Sequence, residues 1–421
     1  MFERTKKLKL SVIKQIELAA NHYPDVISLA QGIPSFDTPA SIKRRVQRAL
    51  DRGVVAKYSL SPGLPELREL IEISLARENM YYDWQKEIIA TAGSIEGITA
   101  AILAITNPGD EIIIPEPTYT SYREVIFLAG CKPVFVPLNE SKDWAFELNK
   151  YEKAITPKTK AIFYCNPNNP TGTIYSRKQL TGLAQLAEKY NLFLISDEVY
   201  KDFVFPDSFQ QTYLHKPIPG NKNSQIEKNK KQKTRIFSLA EIPRWRQRVI
   251  RVFSFSKVYA MTGWRIGYIH SDESVVKEIL KVHDSLVTCA PVISQYAAMG
   301  ALEMAEKEVA YFNRQYAKRR DLICRRLDKL NHIFSYVWPK STYYVFPRLK
   351  STVMKFFPKI KSRGGVIDSW QFALALLDKI QVAVVPGVAF GQNGEGHIRL
   401  SFGRSEKDIN EAFNRMEKLF I

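Results

Sequence analysis

The chain has no apolar run near the roughly 20 residues needed to span a bilayer. Its four cysteines (Cys131, Cys165, Cys289 and Cys324) and six histidines are scattered over 421 residues, with no CxxC pair and no metal-ligand spacing. A disulfide framework and a structural zinc are therefore not expected, and the thiols are expected to be free in a reducing cytoplasm. The opening residues, MFERTKKLKLSVIKQ, are charged throughout and lack the apolar stretch of a secretion signal. Acid is also scarce: 43 Asp and Glu face 61 Lys and Arg, a formal net charge of +18.

That excess is concentrated. Between Lys216 and Arg251 there are 11 basic residues against two acidic ones, Glu227 and Glu241. The part PGNKNSQIEKNKKQK has no periodicity and few apolar groups, so a solvated surface insertion over about 216–235 is expected rather than a nucleic-acid contact. With 45% hydrophobic and 25% charged residues, the remainder reads as an ordinary globular protein with room for more than one core.

From about residue 87 to 270, short β-prone runs (EIIA, DEIIIP, KPVFVPL, KAIFYC, NLFLISDE, RVIRVFSFS) alternate with helical patterns such as SIEGITAAILAI, TSYREVIFLAG and RKQLTGLAQLAEKY. This alternation implies an α/β fold with a mostly parallel sheet, whose ligands bind at the carboxyl ends of the strands. After about Pro291 a long helical segment runs to Leu330, followed by short strands and a final helix, EKDINEAFNRMEKLF. The expected organisation is an N-terminal arm over 1–40, a large domain over 41–288 and a smaller α/β domain over 289–421.

The polar motifs fall just after candidate strands. In SFSKVYAMTGWRIGY, Lys257 lies between hydroxyls and apolar residues with no acid nearby. Burial makes such a lysine nucleophilic by lowering its pKa. Ser254, Ser256 and Arg265 are the donors that hold a phosphate. A lysine beside a phosphate site is what pyridoxal phosphate requires for its Schiff base and its anchor, although a plain basic turn accounts for the lysine and serines alone.

In NLFLISDEVY, Asp197 ends an apolar strand and needs a partner, for which a pyridinium nitrogen is suited. The rigid turn CNPNNPTG could fix the Asn169 amide against the ring 3′-oxygen. Gly93 and Ser94 open a helical pattern and could present backbone amides to an anion. Arg399, in the apolar run GHIRLSFG, requires an anion, which could be a substrate carboxylate or an internal ion pair.

Taken in order, NPNNPTG, SDEVY and SFSKVYAMTGWRIGY resemble the class I/II aminotransferases of pyridoxal-phosphate fold type I. LAQGIPSFDTP, KYSLSPGLPELRE, IPEPTYTSY and VAVVPGVAFG extend the match over nearly the whole chain from about Asp25. It looks closest to the aspartate/aromatic branch. The resemblance implies a seven-stranded sheet in the large domain and a homodimer with active sites at the interface. Lys257 would bond the cofactor and shuttle the proton, assisted by Asp197 and Tyr200. Tyr200 and Asn169 would contact the 3′-oxygen, Tyr119 would stack on the ring, and Gly93, Ser94, Ile95, Ser254, Ser256 and Arg265 would line the phosphate end. Tyr58 would reach the phosphate of the partner subunit. Arg399, with Gly32 and Asn169, would bind the substrate.

Ile95 also stands where aspartate-preferring relatives can carry lysine, and Ser341 and Thr342 replace the family's Gly-Ala before YYVFP. The implied activity is amino-group exchange between an L-amino acid (aromatic, neutral or aspartate) and a 2-oxo acid such as 2-oxoglutarate. A carbon–sulfur lyase of the same fold is the alternative enzyme, and a non-enzymatic binding protein acting through the basic segment is the other.

Overall fold

A computed structural model describes residue 8 and residues 10–205 and 235–421. The seven strands of its main sheet are β1 (Ile88–Thr91), β2 (Glu111–Glu116), β3 (Lys132–Pro137), β4 (Thr159–Cys165), β5 (Phe193–Asp197), β6 (Val249–Ser254) and β7 (Gly267–His270). Their spatial order is β1-β7-β6-β5-β4-β2-β3. Only β7 runs against its neighbours, pairing antiparallel with both β1 and β6. Every residue of β1, β2, β6 and β7 is buried, as expected for a sheet covered on both faces. The helices Ser94–Ile105 and Arg177–Lys189 pack against it.

Six strands were expected from the sequence, and each is present. The seventh, GYIH, was not singled out: four residues including a glycine and a histidine carry little strand signal. Its pairing with β1, some 180 positions earlier, comes only from the fold. The direction of β7 places Gly267 beside both Thr91 and Ser254. The ends of β1, β4, β5 and β6 and the start of β7 therefore share one end of the sheet, where Gly93, Ser94, Ser254 and Arg265 meet.

The helical segment expected after Pro291 is two helices, Val292–Met304 and Glu306–Lys329, meeting at the buried Ala305. The first packs on Ala40–Asp51, the second on Glu406–Phe420. No proline or glycine marks the break, because these two docking surfaces redirect the chain. A second, three-stranded antiparallel sheet is formed by β8 (Tyr344–Val345), β9 (Val385–Pro386) and β10 (Ile398–Ser401), with β10 central. The N-terminal segment joins this region: Ile27–Ser28 pairs in parallel with Val382–Ala383, and Ser401 N donates to Leu29 O at 2.8 Å. That contact brings Gly32 and Arg399 into one neighbourhood.

The stretch from Lys216 to Lys233 lies outside the described residues. Of the basic residues after it, Arg235, Arg244, Arg246 and Arg251 are ion-paired with Glu241, Glu188, Glu87 and Glu198. Among the described residues no helix is long and apolar enough to cross a membrane, and all four cysteines are free and buried.

Candidate active site

Lys257 lies three residues beyond β6. Its Nζ donates to Gly32 O at 2.7 Å, and among the described residues it has no carboxylate salt-bridge partner. Burial, with Arg399 and Arg265 nearby, lowers its pKa to about 8. An amine in that state is neutral for part of the time near pH 7, as a lysine base requires.

Asp197, the last residue of β5, is buried. Tyr122 Oη donates to its Oδ2 at 2.7 Å and Val199 N to its Oδ1 at 3.1 Å. Burial pushes its pKa up to about 6. The acidic pair at this strand end divides its work. Glu198 turns away from the site to Arg251 (2.5 Å) and accepts from Ser196 and Ser238 Oγ.

Asn169, Tyr200 and Arg399 form one connected group. Arg399 donates to Asn169 Oδ1 at 3.1 Å and to Ala30 O at 2.6 Å. Tyr200 Oη lies 3.5 Å from Asn169 Nδ2 and donates to Tyr344 Oη at 3.3 Å. The guanidinium of Arg399 stacks over Tyr344 at 4.2 Å. Among the described residues no carboxylate pairs with this buried arginine, and its Nε has no hydrogen-bond partner. The internal ion pair left open by the sequence is thus not seen among the described residues.

At the other end, Gly93 caps the helix Ser94–Ile105 with φ +84°. A Cβ there would lie 2.5 Å from the Arg265 guanidinium, so only glycine allows this approach. Ser94 is the first helical residue and Ile95, half-buried, sits in the same turn. Ser254 Oγ accepts from Ser256 N at 3.2 Å. A Cβ on Gly267 would lie 3.0 Å from Ser94 N, which is how β7 closes against the helix start. Tyr119 precedes the helix Thr120–Leu128 and packs edge-on to Tyr122. Tyr58 makes none of these contacts and is 85% exposed.

Three side chains not singled out from the sequence belong to this constellation. Tyr122 follows Tyr119 at a helical spacing of three, the one signal that could have found it. Tyr343 Oη donates to Gly32 O at 2.8 Å, the same carbonyl that holds Lys257. Tyr344 links Tyr200 to Arg399.

Lys257, Arg265 and Arg399 thus share a region whose one anionic member among the described residues is Asp197. A buried arginine with unfilled hydrogen-bonding capacity, a half-buried lysine, an exposed arginine at a glycine-lined helix start and a carboxylate at the sheet edge suit pyridoxal phosphate and a carboxylate substrate together. Fold and donor set define a pyridoxal-phosphate enzyme of fold type I.

Residues 24–416 match the family model described as aminotransferase class I and II. An aspartate aminotransferase of Pyrococcus abyssi is 34% identical, covering 100% of this chain and 98% of its own length. An aromatic-amino-acid aminotransferase of Thermococcus litoralis is 33% identical, covering 99% and 97%. The solved aspartate aminotransferase of Thermus thermophilus with maleate superposes with a TM-score of 0.85 at 30% identity, covering 100% of this chain and 99% of that one. The chain belongs to the class I and II aminotransferases and is a pyridoxal-phosphate-dependent enzyme of amino-acid metabolism.

Replacing Arg399 by lysine is expected to raise KM for all amino donors together by about 10- to 100-fold. The resemblance implies that Arg399 grips the α-carboxylate; a lysine cannot reproduce that two-pronged contact, and charged hydrogen bonds of this kind are worth about 1.5–3 kcal/mol. Steady-state kinetics with three dissimilar donors check it; a change confined to one donor would place Arg399 at the side-chain end instead.

Proposed function

We propose that Lys257 is the base that removes the substrate Cα proton and returns it on the cofactor side, with Asp197 holding the pyridine nitrogen protonated. Pyridoxal phosphate, when bound, supplies the electron sink for the carbanion. Arg399, with the Gly32 backbone, orients the α-carboxylate so that the Cα–H faces Lys257. Asn169 and Tyr200 bear on the ring 3′-oxygen, Tyr119 on the ring face, and Gly93, Ser94, Ile95, Ser254, Ser256 and Arg265 on the phosphate end. The observation that carries this reading is a half-buried lysine beside two arginines, with no carboxylate paired to it or to Arg399 among the described residues.

The preferred donors are neutral or aromatic L-amino acids, with 2-oxoglutarate as an acceptor. In support, the first turn after Gly93 offers the apolar Ile95 where a distal carboxylate would need a cation. Apolar contact discriminates by only about 1–3 kcal/mol per methylene, so the range is broad. A donor screen with 2-oxoglutarate is expected to give catalytic efficiencies for phenylalanine or methionine at or above that for aspartate. An aspartate value a hundredfold higher would overturn this preference.

The chain acts in the cytoplasm as a homodimer in which Tyr58 reaches the partner's phosphate site. Its exposure in the single chain, with Leu60 63% exposed beside it, supports a covered role in the assembly. Sedimentation at twice the chain mass is the expected result; a monomer that retains full activity would contradict it. The division into an arm over 1–40, a large domain over 41–288 and a small domain over 289–421 goes with this reading. It is supported by the main sheet, which lies wholly in the middle segment.

A further inference from the structure

We infer that Tyr122 is a positioning residue that keeps Asp197 ionised and aimed, and so sets how firmly the cofactor's ring nitrogen holds its proton. The inference rests on the reading that Asp197 faces that nitrogen.

The geometry is specific. Tyr122 lies on the first turn of the helix Thr120–Leu128, three residues after Tyr119, which ends the loop beyond β2. Its ring is buried, wedged against Phe163 of β4 with centroids 4.2 Å apart and against Tyr119 at 5.4 Å. That wedge aims the hydroxyl at Asp197 Oδ2, 2.7 Å away and 75 positions off in sequence, with the Cys165 thiol as its other neighbour. The carboxylate is thereby held from two sides, by the phenol on Oδ2 and by Val199 N on Oδ1. An ionised carboxylate has about four acceptor positions, so room remains for a third donor.

The charged and titratable groups around Asp197 are few. Glu198 is adjacent but turned to Arg251, Cys165 is its register partner across β4 and β5, and Lys257 lies across the site. Burial works against the carboxylate's charge, and the phenol works for it. Burial also pushes the Tyr122 hydroxyl well above its ordinary range, so it stays protonated and remains a donor. Without this bond the carboxylate becomes the stronger base, and the proton shared with the ring nitrogen shifts toward Asp197. No atom is gained or lost; one proton changes its balance between two sites.

A hydrogen bond to a charged group corresponds to about a 10- to 100-fold change in the equilibrium for that proton. The holoenzyme loaded with cofactor labelled at the ring nitrogen with 15N gives the readout. In Tyr122→Phe, the nitrogen resonance is expected to move toward the unprotonated position, with kcat falling about 10- to 100-fold and thermal stability little changed. A resonance identical to wild type would overturn the inference, because a purely structural role would lower stability without moving it. Asp197→Asn serves as the control. If that variant keeps the nitrogen fully protonated, the reading of Asp197 itself has failed. If only Tyr122→Phe leaves it unmoved, the failure belongs to Tyr122 alone. Should Tyr122→Phe not fold, 3-fluorotyrosine at position 122 keeps the shape and makes the phenol a stronger donor. The ring nitrogen should then hold its proton to higher pH, and an unshifted titration would overturn the inference.

Discussion

Lys257→Ala is expected to leave less than about a thousandth of wild-type turnover, since a positioned base alone contributes about 10²–10⁴-fold and the covalent partner is lost with it. The variant should nevertheless fold. In the cofactor-free protein, Lys257 is held at a pKa of about 8 against an ordinary 10.5. The folded state thus disfavours its charged form, by about 2–3 kcal/mol given that the residue is only half-buried. The penalty is fully present below pH 8 and disappears as pH rises through 8 to 10.5. At pH 7 the alanine variant without cofactor should therefore melt no lower than the wild type without cofactor. Paired calorimetry at pH 7 and absorbance assays of turnover check both halves. Near-normal turnover would sink the assignment of the base.

Asp197→Asn carries the second large effect, a loss of about 10²–10⁴-fold in kcat. An amide cannot offset the charge of a protonated pyridine, and a preorganised charge at the site of electron withdrawal is among the strongest catalytic contributions. The stability effect has the opposite pH course to that of Lys257. Burial raises Asp197 from 3.8 to about 6, so the folded, cofactor-free protein pays nothing below pH 3.8 and bears the full cost above pH 6. The asparagine variant without cofactor should be about as stable as wild type at pH 3.8 and more stable at pH 7. Equal stability at both values would show that the carboxylate is better solvated than its burial implies.

Both residues thus weaken the empty protein, and in the proposed function the bound cofactor relieves them. Sites built for function commonly carry such a penalty.

Local chemistry made much of this site legible in the sequence. Lys257, Asp197, Asn169, Arg265 and Arg399 each sit in a short motif whose composition departs from ordinary structure. The strands from Ile88 to Ser254 and the helices Ser94–Ile105 and Arg177–Lys189 follow from hydrophobic pattern. What the sequence could not show are contacts between distant segments. Tyr122 reaches Asp197 across 75 positions, and Tyr343 meets Gly32 across 311. Which member of the Asp197–Glu198 pair faces the site is decided by Arg251 on the neighbouring strand. The reversed strand Gly267–His270 and the break at Ala305 likewise depend on packing partners far along the chain.

In the proposed function these residues run a two-stage amino exchange on one bound cofactor, and a half-reaction followed by absorbance separates that course from elimination. Adding phenylalanine alone to the loaded enzyme should shift the cofactor band once, without ammonia release. Adding 2-oxoglutarate after removal of free amino acid should restore the original band with one equivalent of glutamate per site. A band that does not shift, or a shift accompanied by continuing ammonia release and no need for a 2-oxo acid, would contradict the account.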